Sequence, residues 1–363
     1  MEDAAAFRNA PNVLTEIPRY AAEIPPSIGP ESRAMLPEGI PPLNLALFAV
    51  TLLTTTMAGA YMAGAELPLR HPIAFVANLA MGLSFSIPLM AILLAHEMGH
   101  YVTARRNGVN TSLPYFIPAP YPSVFFIGTF GAFIRLRQMP QSRRMMFDIG
   151  AAGPWAGMMV ALPCVIIGLH LSDIQPLTQS AGGLELGNSL LFYGLSRWML
   201  GVDPNLVNVN LHPIAFAGWL GFLVTMLNLL PSGQFDGGHV LYALTPRHHR
   251  KISTLFVVGC VLMFFVPLAL GRTYWAGWLL WAVIAVVLGL GHPSTVDRDA
   301  PLGRGRTFSA WLTIALFIVT FMPNPIWISS PADNPPQPEP SQSYSVMNHA
   351  PGPAMHRATT IRI

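Results

Sequence analysis

Charge is scarce in this sequence. Of its 363 residues only 10% are Asp, Glu, Lys or Arg, against about 25% in an ordinary soluble domain. Hydrophobic residues make up 52%, and the mean hydropathy is +0.46. Such a chain carries too little charge to clothe a soluble fold of its size. Cysteine is nearly absent: Cys164 and Cys260 fall in separate apolar runs and read as packing residues rather than a disulfide or zinc ligands. No apolar leader opens the chain, because residues 1–42 are polar and proline-rich, and a cleavable signal peptide is not expected there. Internal repeats are absent. The pI near 9.0 would suggest nucleic acid in a soluble protein. Here the arginines sit between apolar runs, where membrane orientation explains them, and no nucleic-acid partner is expected.

In place of charge the chain has long apolar runs. Several reach 18 or more nearly uncharged residues, close to the ~20 that cross a bilayer as a helix. The expected fold is an all-α polytopic membrane protein with about six to seven transmembrane helices, over 43–63, 73–102, from 147, 213–230, 252–271, 274–291 and 308–325. Residues 1–42, broken by six prolines from Pro25 to Pro42, read as a flexible cytosolic arm. Residues 43–291 form the transmembrane core, 292–325 a loop and final helix, and 326–363 a disordered tail rich in Pro, Ser, Gln and Asn. Between the second and third runs, LPYFIPAPYPSVFFIGTFGAFIRLRQM (113–139) is too broken by proline to span and too apolar for an exposed loop. Its β-rich half, Ser123 to Leu136, reads as a re-entrant β-hairpin-like segment, tolerated at membrane depth only where protein or water satisfies its backbone. An interfacial loop on the headgroups is the other reading. Residues 172–208 read as a polar to amphipathic loop, with an interfacial helix over Leu184 to Met199.

The second run closes on Ala95-His96-Glu97-Met98-Gly99-His100. On a helix, His96 and His100 share one face and their imidazoles can close on a single Zn²⁺. Glu97 points about 100° around the helix, too far to ligate but placed to take a proton from water that the metal activates. A catalytic zinc site wants a third protein ligand and one open position. Of the 17 acidic residues, Glu97 and Asp236 lie well inside apolar sequence, with Asp148 at a span boundary. A carboxylate buried in a membrane segment is costly and functional by default. Asp236 also sits where Pro231, Gly233, Gly237 and Gly238 break the helix. It is the expected third ligand, with His239 or a structural cap as alternatives. Asn228, eight residues earlier, has an amide able to hold a substrate carbonyl or a developing oxyanion, or else an interhelical hydrogen bond. His248 and His249 sit in a basic loop and read as solvated, His170 and His212 as interfacial, and Trp275, Trp278 and Trp281 as membrane anchors. Gly150, Gly153 and Gly157 repeat at helical spacing and invite close backbone approach by a neighbouring helix.

Fifteen of the 20 Lys and Arg residues fall in 1–42, 104–147, 247–251 and 292–307. With those segments inside, the His96–His100 end and the Asp236 end both face the cytosolic side. The two lie at similar depth although 136 residues apart.

His96-Glu97-Met98-Gly99-His100, followed by Asn228-Leu-Leu-Pro231 and Phe235-Asp236-Gly237-Gly238, resembles the site-2 protease family of intramembrane zinc metalloproteases, and Gly153-Pro154 matches a further glycine-rich element of that family. The resemblance covers roughly residues 74–246. It implies one Zn²⁺ per chain held by His96, His100 and Asp236, with Glu97 as the base and Asn228 assisting the substrate. It also implies a zinc metalloendopeptidase acting on single-span membrane protein substrates within or near the bilayer. The family commonly has Leu where Phe235 stands. Many members carry a PDZ domain between the two motifs, for which 172–208 is too short. Against this stands a membrane metal-handling or transport protein using the same ligands, which gives Glu97 no special role. A prenyl-protein type of membrane metalloprotease would need a later intramembrane Glu, which the chain lacks. The expected partners are a membrane protein with a transmembrane helix and the lipid bilayer. An inner or plasma membrane is the default location.

Overall fold

A computed structural model describes residues 39–329, apart from 69, 121–125, 176–182, 205–206, 293–294 and 298–299, together with 361–362. The arm expected over 1–42 and the tail expected over 326–363 lie almost wholly outside the described residues. Helix α1 (Pro42–Met62) starts on a proline, whose missing N–H is no loss in the first turn. Helices α2 (Pro72–Ala80) and α3 (Leu83–Arg106) cover the second apolar run but are bent by 56° at their junction. The bend has a packing cause. Gly82 lies so close to α1 that a Cβ there would strike the Thr56 carbonyl, and Gly59 of α1 faces the Gly82 carbonyl in return. A Gly82→Val change is therefore expected to destabilise the protein by about 1–3 kcal/mol, the usual cost of overpacking. A lowered thermal midpoint of the purified protein would show it, and an unchanged midpoint would mean that α1 does not pack on the bend.

Helix α4 (Arg143–His170) is capped by Ser142, whose Oγ accepts from the Met145 N–H at 3.1 Å. It is followed by α5 (Leu190–Leu200), α6 (Pro213–Asn228), α7 (Asp236–Leu244), α8 (His249–Ala269), α9 (Gly277–Leu288) and α10 (Arg304–Thr320). His212 caps α6 as an acceptor from the Ile214 N–H at 3.3 Å. Burial lowers its pKa against the opposing pull of Asp173, which favours the neutral ring that this bond needs.

The protein is mostly helical, but not purely so. Strands β1 (Tyr115–Pro118) and β2 (Thr129–Phe133) pair antiparallel, Tyr115 opposite Phe133 and Pro118 opposite Thr129, with a register shift between Ile117 and Pro118. The β-rich reading of 123–136 thus meets a real hairpin, whose tip lies outside the described residues. Asn44 of α1 donates to the Leu113 and Pro114 carbonyls, and Thr54 to that of Gly128, which fastens the hairpin to α1. Strands β3 (Asp173–Gln175) and β5 (Asn208–Asn210) pair with each other, and β4 (Gly183–Leu186) lies between β6 (Ile326–Ser329) and β7 (Ile361–Arg362). Part of the helix expected over 184–199 is therefore strand, because Ser189 caps α5 and starts it only at Leu190.

This is a membrane protein, and its span count is only partly that expected. Helices α1, α4 and α8 are long and apolar enough to cross, and the bent α2–α3 pair makes up to four. Helices α6 and α9 are apolar but 16 and 12 residues long, below the ~20 needed. The shortness of α6 has a reason: prolines bound it at 213 and 231, and its side chains meet protein on nearly every side. Phe216, Trp219, Leu220, Phe222 and Met226 are all buried with Phe85, Leu89 and Ile92 of α3 and Val165 of α4. Gly218 and Gly221 let it close on Val165 and Ala161 of α4, the small-residue contact that drives helix association in lipid. The reading of Trp278 as a membrane anchor is corrected here. It is fully buried, and its Nε1 donates to the Pro323 carbonyl at 2.7 Å.

Candidate metal centre

His96 and His100 sit one turn apart on α3, which continues to Arg105 and Arg106, where basic side chains suit the helix C-terminus. Asp236 arrives from the other half of the chain. After α6 the chain turns at Pro231-Ser232-Gly233, with Gly233 in the left-handed region (φ 53°). Asp236 then opens α7, where a carboxylate is favoured by the helix dipole. Gly237 and Gly238 pack so tightly on the turn that a Cβ at either would strike the Leu229 or Gly233 carbonyl.

The result is a convergence of three side chains. The Nε2 atoms of His96 and His100 are 3.1 Å apart. Asp236 Oδ2 lies 3.4 Å from the first and 3.1 Å from the second. Both imidazoles are buried. The protons of this arrangement can be placed. His100 Nδ1 is 2.7 Å from the Ile149 carbonyl, which can only accept, so Nδ1 carries a hydrogen, and in the neutral ring Nε2 presents a lone pair. The Asn228 amide nitrogen is 3.1 Å from His96 Nε2 and can only donate, so that nitrogen too presents a lone pair. With both rings neutral, these two nitrogens and the carboxylate oxygen face one another as acceptors. That is unfavourable unless a cation is shared, and among the described residues these three form the one such group of His, Cys, Asp and Glu ligand atoms. A nitrogen-nitrogen-oxygen donor set of this kind suits Zn²⁺. His100 also has the backbone carbonyl partner that commonly fixes the tautomer of a zinc-ligating histidine.

Glu97 is buried beside this group, and the backbone N–H of Ile134, just past β2, hydrogen-bonds its carboxylate. The hairpin therefore reaches the acidic side chain next to the ligands. The Asn228 amide of α6 is within hydrogen-bond distance of His96 on α3, the interhelical contact that stood as the alternative to a substrate-holding role.

The sequence reading missed what the glycines of α4 are for. It assigned them to backbone approach, yet they make room for imidazoles. A Cβ on Gly153 would collide with His100 Nε2, one on Gly157 would stand 3.2 Å from the His96 Cβ, and one on Gly150 would stand 2.7 Å from the His239 Cβ. The periodic glycines were visible, but the partner of each was not. His249, read as solvated, is a second correction. It is 2% exposed, because α7 ends at a Thr245-Pro246 corner and α8 starts inward at His249. His248 beside it is exposed, as expected.

Two imidazoles from α3 and a carboxylate from the start of α7, with a glutamate one residue past the first histidine, define a metallohydrolase type of centre. The model of peptidase family M50 matches residues 84–270, about half of the chain. The chain belongs to this family, the site-2 proteases, which are zinc metalloproteases. It is 37% identical over 158 residues to the probable zinc metalloprotease EGY1 of Oryza sativa subsp. japonica, a chloroplastic protein, covering 42% of this chain and 26% of that one. EGY1 of Arabidopsis thaliana is 35% identical over 169 residues (45% and 29%), and EGY2 of Oryza sativa subsp. indica 25% identical over 237 residues (65% and 41%). The chain thus spans little more than a quarter of the two EGY1 proteins. No solved structure matches it. These relatives give no support to an inner or plasma membrane location.

Proposed function

We propose that the protein is an intramembrane zinc metalloendopeptidase that hydrolyses peptide bonds of single-span membrane proteins within or near the bilayer, its site opening towards the cytosolic side. The observation that carries this reading is the convergence of His96, His100 and Asp236 with Glu97 buried beside them. His96, His100 and Asp236 hold the zinc, which supplies Lewis acidity to polarise a carbonyl and to ease the deprotonation of water. Glu97 takes the proton of the attacking water and later delivers it to the leaving amine. Asn228, at the rim of the ligand group, donates to a carbonyl oxygen of the substrate. Burial of the site keeps bulk water from competing with these bonds.

A helical peptide bond is shielded by its own hydrogen bonds, so the substrate must be held extended. Strand β2 offers an edge for strand addition beside Glu97. Proline introduced at Ala132 is expected to cut cleavage about tenfold where it removes an edge N–H, with zinc content unchanged. Wild-type cleavage in that variant would count against strand addition.

The reading as a whole is tested by purified full chain in lipid vesicles with a tagged single-span substrate, the fragments being identified by mass. A cut inside or next to the span that stops on zinc chelation supports it. Zinc flux across the vesicle membrane without any cleavage favours the metal-handling alternative.

A further inference from the structure

The segment joining α9 to α10, beyond the residues that the family model matches, grips the helix that carries Asp236. His292 Nε2 shares a hydrogen bond with Nδ1 of His239 at 2.8 Å. The His292 ring stacks on Tyr242 at 4.2 Å between centroids and 18° between planes. Tyr242 in turn accepts from the Thr295 N–H at 3.0 Å through its hydroxyl. His249 packs edge-on against both rings, and neither of its ring nitrogens makes a well-formed hydrogen bond, the Gly238 backbone lying beside it. His239 lies about 60° around α7 from Asp236, and Tyr242 about 60° further in the same sense.

The other end of the segment is tied to α4. The Val296 N–H donates to the Gln141 carbonyl at 3.1 Å, and Asp297 Oδ1 accepts from the Arg143 N–H at 2.6 Å. The Arg144 guanidinium donates twice to the Pro301 carbonyl, at 3.1 and 2.9 Å. One stretch of chain therefore fixes α7 against α4, the helix whose glycines receive the ligand imidazoles.

Such a grip matters because α7 holds itself poorly. It has nine residues, no side-chain cap, and glycine at its second and third positions. Side chains reach about 5–6 Å from a helix axis, so a 20° turn of α7 would carry the Asp236 carboxylate about 2 Å. Metal-ligand distances tolerate about 0.2 Å. We propose that His292 is a positioning residue for the Asp236 carboxylate, acting through His239 and Tyr242 on the rotation of α7. This rests on the assignment of Asp236 as a zinc ligand made above.

The test uses the full-length protein with His292→Ala, His292→Gln and Tyr242→Phe. Zinc affinity is read by competition with a chromophoric chelator, and ligand geometry by the visible spectrum of the Co²⁺-substituted protein. Neither readout needs a substrate, so failure to find cleavage leaves this inference standing. His292→Ala is expected to weaken zinc binding about 10–100-fold, the range for loss of a partner that orients ligands, and to alter the cobalt spectrum. His292→Gln, which keeps a polar atom near the Nε2 position, is expected to recover affinity to within a few fold. Tyr242→Phe, which keeps the stack and loses the Thr295 bond, is expected to fall between. Wild-type affinity and spectrum in His292→Ala would overturn the proposal, even with a lowered thermal midpoint. So would a wild-type content of two zinc ions falling to one in that variant, since the histidine cluster would then itself be a metal site.

Discussion

Glu97→Gln is expected to bind zinc like the wild type and to cut about 10²–10⁴-fold more slowly, the usual contribution of a general base and equivalent to about 2.7–5.5 kcal/mol of barrier. Glutamine has the size of glutamate, and its carbonyl still accepts from the Ile134 N–H that the carboxylate receives, so the hairpin keeps its place. What the amide cannot do is take a proton. The assay is cleavage of the tagged single-span substrate beside wild type, with zinc measured by elemental analysis on both preparations. Equal cleavage by the two proteins would remove Glu97 from the role assigned to it. Loss of zinc along with activity would mean that Glu97 supports the ligands rather than the proton transfer.

The other large effect is expected from a methyl group. Gly153→Ala places a Cβ on the Nε2 atom of His100, and the ring cannot retreat, because its Nδ1 is held by the Ile149 carbonyl on the same helix, α4. His100 must leave the ligand group or α4 must move off α3. Either way zinc affinity should drop by about 100-fold or more, above the range for outer-shell partners, and cleavage with it. Gly157→Ala provides the internal control. Its Cβ would meet the His96 Cβ at 3.2 Å and Nδ1 at 3.3 Å, distances that a few tenths of an ångström of adjustment relieve. The expected order of zinc affinity is wild type, then Gly157→Ala close behind, then Gly153→Ala far below. If Gly153→Ala binds zinc as tightly as wild type, α4 does not press on His100 as described.

How much of this could be read from the sequence depended on how local each relation was. His96, Glu97 and His100 lie within five residues, and helix geometry alone sets their faces. Asp236 could be singled out because acidic residues inside apolar sequence are so few here and so costly. The mostly helical character followed from the long apolar runs, and the hairpin from the Val, Phe, Ile and Thr content of 123–136. The rest depended on contacts between distant segments. Nothing near Gly153 announces that its neighbour is an imidazole rather than a backbone. His249 stands among Arg247, Arg250 and Lys251, whose charge suggested water, while the Thr245-Pro246 corner turns that one side chain inward. His292 has no motif around it, and its meeting with His239 is 53 residues removed in sequence. The span count of six to seven is not confirmed, because the apolar helices α6 and α9 fall short of the length that crosses a bilayer.

The ligands are divided between α3 and the start of α7, 136 residues later. A ribosome that has delivered His96, Glu97 and His100 into the membrane has made only two-thirds of a binding site. The chain must be extended past Asp236 before the third side chain of the group exists. A copy that ends before Asp236 has only the two imidazoles of the three side chains that converge. Order of synthesis thus sets the moment at which the three side chains can first meet.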